Sequence, residues 1–437
     1  MELTEDYIFN LKEGYVKRKV DDYYVVIFKN THKYIVLDKN SNVWFEALET
    51  GDSIGDVYKK FSLDSVEEVY LDFLSDLYWA LIKNEPKEKS TEISLKFDLT
   101  YRCNTNCIHC FLPEFPNMKE LNLEEWKTIS NKFFNALPYK PSIAISGGEA
   151  LIRNSMLKSL ISYIRPKAQE ITLLTNGFIL SDWIEEKNAD LDFYLENIDF
   201  FQISMDGFDE ETYDEVRGKG KFRKIVNTIK YLNDKNKPAE YHITVSNQNM
   251  DNIEKNFVKF VKENNLYKEN FNHFNISLVQ PLGNAKDMER KGLLCSKLDY
   301  EKFLFRLQTN INKVFPPKFI DKNTTVNNSI CSVGNQISIS PNGLCYLCGV
   351  VLGEPVCNVL EDDVNDILKR FANIREKLDQ KNIAECKDCE LLGICTGGCR
   401  VNNKRKTGKL TTVNCTDERK EEIYFSLVRE EILGVPY

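Results

Sequence analysis

The chain lacks a surplus of positive charge: 66 acidic residues outnumber 58 basic ones, for a net charge of -8. Neither nucleic acid nor an anionic membrane surface is therefore expected as a partner. The first residues, MELTEDYIFNLKEGY, lack a basic stretch followed by an apolar run. Nowhere is there an uninterrupted apolar stretch of about 18 residues, as a membrane span requires. A cytoplasmic location is expected. In that compartment thiols stay reduced, so the chain's 13 cysteines point to metal or cluster ligation rather than disulfides.

What is present divides into three segments, as a length of 437 residues leads one to expect. Residues 1–88 read as three strands (Tyr15–Val20, Tyr23–Lys29, Lys33–Leu37) followed by helices. Val66, Val69, Tyr70, Phe73, Leu74, Leu77 and Leu81 recur at helical spacing, and Ser65 with Glu68 has the pattern of a capping box. Asn84–Ser90 reads as a charged linker.

Residues 91–315 repeat a strand-then-helix rhythm six times, with strands at 93–99, 142–146, 170–174, 200–205, 241–245 and 275–279. Alternation of this kind predicts a parallel sheet with right-handed crossovers. The fold class is α/β, a partial (β/α)6 TIM-like barrel. Each strand runs directly into polar or glycine-bearing residues, and chemistry in such barrels gathers at the carboxyl ends of the strands.

The residues after the first of these strands are Cys103-Asn-Thr-Asn-Cys107-Ile-His-Cys110, and the next cysteine is Cys295. Three thiolates can hold three irons of a cubane cluster, whereas structural clusters are usually closed by four. One iron is thereby left for another ligand. Zinc or a closed redox cluster are the alternative readings of a triad alone.

Residues 320–437 hold nine of the thirteen cysteines. A hairpin is predicted around Pro341-Asn342-Gly343. It is followed by Cys386-x2-Cys389-x5-Cys395-x3-Cys399, by Cys415, and by a closing helix. Cys-x2-Cys pairs also bind zinc, which is the alternative here.

The triad after the first strand, with Gly147-Gly148-Glu149 after the second, resembles the radical SAM superfamily. The resemblance implies that Cys103, Cys107 and Cys110 bind a 4Fe-4S cluster whose fourth iron is chelated by S-adenosylmethionine. Reductive cleavage would then give a 5′-deoxyadenosyl radical. It further implies that Gly147, Gly148 and Glu149 contact the methionyl group, Ser204 the ribose, and Arg217 the methionyl carboxylate, with His109 in the aromatic slot before the last cysteine. Asn176 reads as a turn residue.

Cys331, Cys348, Cys386, Cys389, Cys395, Cys399 and Cys415 resemble the SPASM extension of peptide-modifying relatives. By that resemblance Cys331, Cys348 and Cys399 hold one auxiliary cluster, and Cys386, Cys389, Cys395 and Cys415 a second, closed one. Three 4Fe-4S clusters are thus implied. The first auxiliary set is one ligand short, since Thr325 stands where some relatives have a cysteine; Cys357 or a substrate cysteine would complete it. Cys345 is a poor co-ligand, being three residues from Cys348 on a strand. Cys295 reads as an incidental thiol.

The N-terminal segment resembles the winged-helix-like RiPP recognition element, which implies a leader peptide adding to a sheet edge. A structural cap or oligomerisation domain is the plainer alternative. The whole plan implies maturation of a ribosomally made precursor peptide, with a flavodoxin- or ferredoxin-like reductant. Thioether formation is the leading expectation, then carbon–carbon or carbon–oxygen crosslinking. Formylglycine formation is disfavoured because Gly349 stands where those enzymes have an aspartate. A non-catalytic peptide-binding or electron-transfer protein is the alternative of a different class. No residue is singled out as a substrate acid or base.

Overall fold

A computed structural model describes residues 4–11, 14–82, 92–112, 118–268, 271–317, 333–349 and 354–434. The linker 84–90, Thr325 and Cys331 lie outside them. By contact the chain forms two compact units that do not follow three consecutive segments. One comprises residues 1–90, 319–331 and 377–435; the other comprises 91–318, 332–376 and 436–437.

In the first unit, β1 (Tyr15–Val20), β2 (Tyr23–Phe28) and β3 (Lys33–Leu37) form an antiparallel sheet in that order. Helices α1 (Lys39–Thr50), α2 (Ile54–Phe61) and α3 (Glu67–Leu81) follow. Asp38 caps α1 and Ser53 caps α2, each in a reciprocal capping box. The box read at Ser65 and Glu68 does not form. Residues 63–66 wind as a 3-10 turn, so α3 starts at Glu67 behind Val66, which has no side-chain oxygen to offer.

Strand β2 is buried on both faces, because its apolar run Val25–Phe28 does not alternate with polar residues. Val26 and Phe28 face the core made with Trp44, Phe45, Tyr70 and Leu77. Val25 and Ile27 face Tyr424, Leu427 and Val428 of the C-terminal helix Asp417–Leu433. The N-terminal sheet is therefore a filling between its own helices and the end of the chain.

In the second unit six parallel strands run in sequence order: β4 (Ser94–Asp98), β5 (Ile143–Ser146), β6 (Ile171–Thr175), β7 (Phe200–Ser204), β8 (Ala239–Val245) and β9 (His273–Leu278). Beyond the sequence reading, β10 (Gln336–Ile339) pairs parallel with β4. Strands β11 (Leu344–Tyr346) and β12 (Cys357–Asn358) continue the sheet antiparallel. The predicted hairpin is thus the first edge of the barrel sheet, not part of a separate tail.

Burial alternates strictly along β6, β7 and β8. The fully buried set faces the helices: Phe97 packs on Trp126, and Tyr241 and Phe274 stack near Phe257. The half-buried set, including Thr172, Gln202, Ser204, Glu240 and His242, faces inward. A closed eight-stranded barrel fills its interior with side chains; this open sheet leaves a polar lumen. Among the described residues, no helix is long and apolar enough to cross a membrane.

Candidate functional site

The cysteine triad occupies the loop leaving β4, and three neighbouring elements hold that loop by its backbone. From the β5 side, Gly148 N–H donates to the Thr100 carbonyl at 2.7 Å and Glu149 N–H to the Arg102 carbonyl at 3.0 Å. A Cβ on Gly147 would lie 2.3 Å from Thr100 O, and one on Gly148 2.4 Å from Arg102 O. Gly147 also has φ +146°, where side chains are strained. The glycines are thus demanded by close approach of the loop itself, a reason additional to any ligand.

From the helix Glu210–Arg217, the Val216 carbonyl accepts from Ile108 N–H at 3.2 Å, and the Arg217 carbonyl from Thr105 Oγ1 at 2.6 Å. Past β9, Asn284 N–H donates to the Cys110 carbonyl at 2.8 Å, and its Nδ2 donates to the Cys107 carbonyl at 3.0 Å.

Under this loop lies a buried charge cluster. Arg217 Nε donates to Asp206, a residue just past β7 that is fully buried. Asp206 also accepts from Thr244 N–H at 2.7 Å and faces His109 Nε2 at 3.4 Å. Burial pushes the Asp206 carboxyl up, but Arg217, His109 and the Thr244 amide outweigh it and hold it below the ordinary range. Burial lowers His109 to about 4, so the imidazole is neutral. Arg217 Nη1 reaches Cys107 Sγ at 3.8 Å. Arg217 is therefore no surface ion-pair residue. Its fork is already anchored to Asp206.

Glu149 is 1% exposed. Its carboxylate accepts from Thr175 Oγ1 at 3.0 Å, Asn176 N–H at 2.9 Å and Leu151 N–H at 3.2 Å. Burial still prevails over these bonds and raises its pKa to about 7. A carboxylate so placed gains from any cation that reaches it. Asn176 does more than turn the chain: its Nδ2 donates to Asn104 Oδ1 at 2.7 Å and lies 3.7 Å from Cys103 Sγ. Ser204 ends β7 on the lumen face, its carbonyl accepting from Tyr213 OH at 3.2 Å.

The donor set fits an open cluster. Burial pushes the Cys103 thiol up to about 11, with Glu149 and then the neighbouring Cys107 and Cys110 thiols adding to it. Among the described residues no three His, Cys, Asp or Glu groups converge on one metal ion. A cubane needs no such convergence, because each thiolate binds a different iron.

The cysteine-rich tail gathers Cys386, Cys389, Cys395 and Cys415 as mutual electrostatic neighbours. The turn through Gly397 and Gly398, each at φ +77°, leads to Cys399, which caps the helix Arg400–Thr407. Arg400 is buried and donates to the carbonyls of Gly397 (2.8 Å), Thr396 (2.8 Å) and Leu378 (2.7 Å). In the barrel unit Cys357 sits opposite Cys345 across β11 and β12, both buried, and the two thiols are hydrogen-bonded. Cys348 follows β11. Cys295 is half-buried.

Asp206 and Asn284 were not read from the sequence as site residues. The Asp206-Gly207 pair was visible at a strand end, but its partner Arg217 is revealed only by the crossover.

Residues 97–258 match the Radical SAM superfamily. Over 163 residues the chain is 32% identical to the sporulation killing factor maturation protein SkfB of Bacillus subtilis, covering 37% of this chain and 38% of SkfB. The match thus spans well under two thirds of that relative's length. It is 24% identical to the AdoMet-dependent heme synthase of Methanosarcina barkeri, covering 72% of this chain and 93% of that one. In fold it is similar to Streptococcus suis SuiB, solved with the precursor peptide SuiA, at a TM-score of 0.57 and 16% identity, over 95% of this chain and 98% of that chain. SuiB has also been solved with S-adenosylmethionine.

Proposed function

With residues 97–258 carrying a radical SAM domain, we propose that this enzyme matures a ribosomally made peptide by an oxidative crosslink, a cysteine thioether first among the possibilities. The observation that carries the reading is the clamped triad loop, set at the mouth of a barrel whose polar lumen is open to a second substrate. Likeness to SkfB over the barrel supports a peptide as that substrate. The heme synthase relative marks the competing class, a small molecule in the same lumen.

In this reading Cys103, Cys107 and Cys110 hold three irons, and the fourth takes the amine and carboxylate of S-adenosylmethionine. Cluster and S-adenosylmethionine together supply a carbon radical able to take a hydrogen atom from the peptide. The protein's share is placement. Glu149, which burial raises to about 7, would accept a hydrogen bond from the methionyl ammonium. Ser204 meets the ribose. Arg217, steadied by Asp206, directs its remaining N–H groups to the methionyl carboxylate and the thiolate of Cys107. His109, neutral, adds no charge beside the cluster.

The N-terminal domain, with β1 and β3 as sheet edges, is assigned to the leader peptide, whose strand addition raises the local concentration of the core peptide. Cys386, Cys389, Cys395 and Cys415 are assigned to a closed auxiliary cluster. Cys331, Cys348 and Cys399 are assigned to another; with the Cys357 thiol tied to Cys345, its last ligand is taken to come from outside this set, such as a substrate cysteine.

The test is anaerobic co-expression with a candidate precursor, a short peptide if one is encoded beside the gene, followed by mass spectrometry. Loss of two hydrogens at a cysteine-containing site is expected. Loss of two hydrogens with no cysteine involved overturns the thioether. Failure of the reconstituted enzyme to release 5′-deoxyadenosine with dithionite overturns the enzymatic reading altogether.

A further inference from the structure

The barrel interior carries a polar chain that the cofactor assignment does not use. It crosses three neighbouring strands. Gln202 Nε2 on β7 lies 2.8 Å from Glu240 Oε1 and 3.3 Å from His242 Nδ1, both on β8. His242 Nε2 lies 3.1 Å from Ser277 Oγ on β9. All four side chains are on the inward, half-exposed face of the sheet.

The direction of each hydrogen bond follows from the carboxylate at one end. Ionised Glu240 can only accept, so Gln202 must turn its NH2 group towards it. The second hydrogen of that NH2 group goes to His242 Nδ1, which therefore holds the ring's lone pair. The ring hydrogen sits on Nε2 and is donated to Ser277 Oγ. Ser277 accepts from the imidazole, so its own hydrogen points away from it. The chain ends as a hydroxyl donor on the lumen wall.

We propose that Ser277 donates this hydrogen to a backbone carbonyl of the core peptide, with Gln202, Glu240 and His242 as positioning residues that fix its direction. The inference rests on the peptide-maturase reading and names how the barrel seats that substrate. A neutral acceptor fits the wall best. A carboxylate ligand would meet the charge of Glu240, since Asp206 and Arg217, which also act on His242, are paired with each other.

The device also responds to pH. A proton added to His242 lands on Nδ1, facing the Gln202 NH2 group donor to donor, so that link breaks while the ring Nε2–H goes on donating to Ser277. Burial lowers the His242 pKa, Asp206 and Glu240 oppose that, and Arg217 adds to it. The break therefore falls on the acid side of an ordinary histidine.

The experiment uses the full-length reconstituted enzyme with S-adenosylmethionine and a fluorescein-labelled core segment, without leader, of the candidate precursor. Fluorescence anisotropy gives its Kd. Ser277→Ala is expected to weaken binding about tenfold, the scale of one lost hydrogen bond to a buried partner, and Ser277→Thr to restore most of it. Equal affinities for wild type and Ser277→Ala, or Ser277→Thr no better than Ser277→Ala, overturn the proposal. Absence of 5′-deoxyadenosine from the wild type instead overturns the enzymatic reading, and the affinities still decide the hydroxyl's role.

Discussion

Two buried arginines, each beside a set of thiols, are used in opposite ways. Arg217 at the triad is matched by the Asp206 carboxylate, so the pair brings position but little net charge. Arg400 in the tail bonds to the carbonyls of Leu378, Thr396 and Gly397. Burial, with Cys395 and Cys389, raises the Cys386 thiol to about 11 against an opposing pull from Arg400. Arg419 and Lys420 pull the same way on Cys415. A closed cluster gathers four thiolates and an open one three, so the tail has more negative charge to offset.

The comparison can be broken most sharply at the triad. Alanine at Cys103, Cys107 and Cys110 together should abolish 5′-deoxyadenosine release yet leave roughly two-thirds of the iron, if two auxiliary clusters are held independently. Iron analysis beside the activity assay checks this, and loss of nearly all iron, or zinc in its place, would refute the division. Asp206→Asn comes next. It strands the Arg217 charge in a buried site and should cost about 3–5 kcal/mol in denaturant unfolding. Arg400→Gln should act on the tail alone, lowering iron by up to about one-third while reductive cleavage of S-adenosylmethionine persists. A matching loss at the triad would mean the two sites are not separate.

The smallest effect concerns Glu149. Its folded pKa of about 7 stands above an ordinary 4.5. The stability it contributes is therefore complete below about 4.5 and is lost as pH rises through about 7. Glu149→Gln carries no such loss. In the apo protein the Tm of Glu149→Gln minus that of wild type should grow between about pH 5 and about pH 8, to the equivalent of at most about 3 kcal/mol. A flat difference would mean that the carboxylate is ionised and compensated without a ligand.

Local features were legible in the sequence. β-branched runs bounded by turn residues fall on β1 to β3, and the strand-then-helix rhythm falls on β4 to β9, because both are dictated within a few residues of chain. The triad and Gly147-Gly148-Glu149 were legible because they are contiguous. What escaped reading depends on distant pairing. Nothing in Gln336–Ile339 announces β4 as its neighbour, and Asn284 meets the triad only once β9 has brought it there. Gly147 and Gly148 were legible as residues, but their demand for space comes from Thr100 and Arg102. The Ser65 pattern failed because a 3-10 turn took up the residues that a cap would need.

The N-terminal sheet filled from both sides also sets an order of events during synthesis. Strand β2 leaves the ribosome well before Leu391, Tyr424, Leu427 and Val428, which cover one of its faces. The barrel strands β4 to β9 emerge in the order in which they pair and can assemble as they appear. The first unit must wait for those distant residues with Val25 and Ile27 uncovered, a long-range closure that slows folding and prolongs exposure of a sticky strand. Removing residues after 416 would leave that face largely bare, turning the N-terminal sheet into an aggregation nucleus.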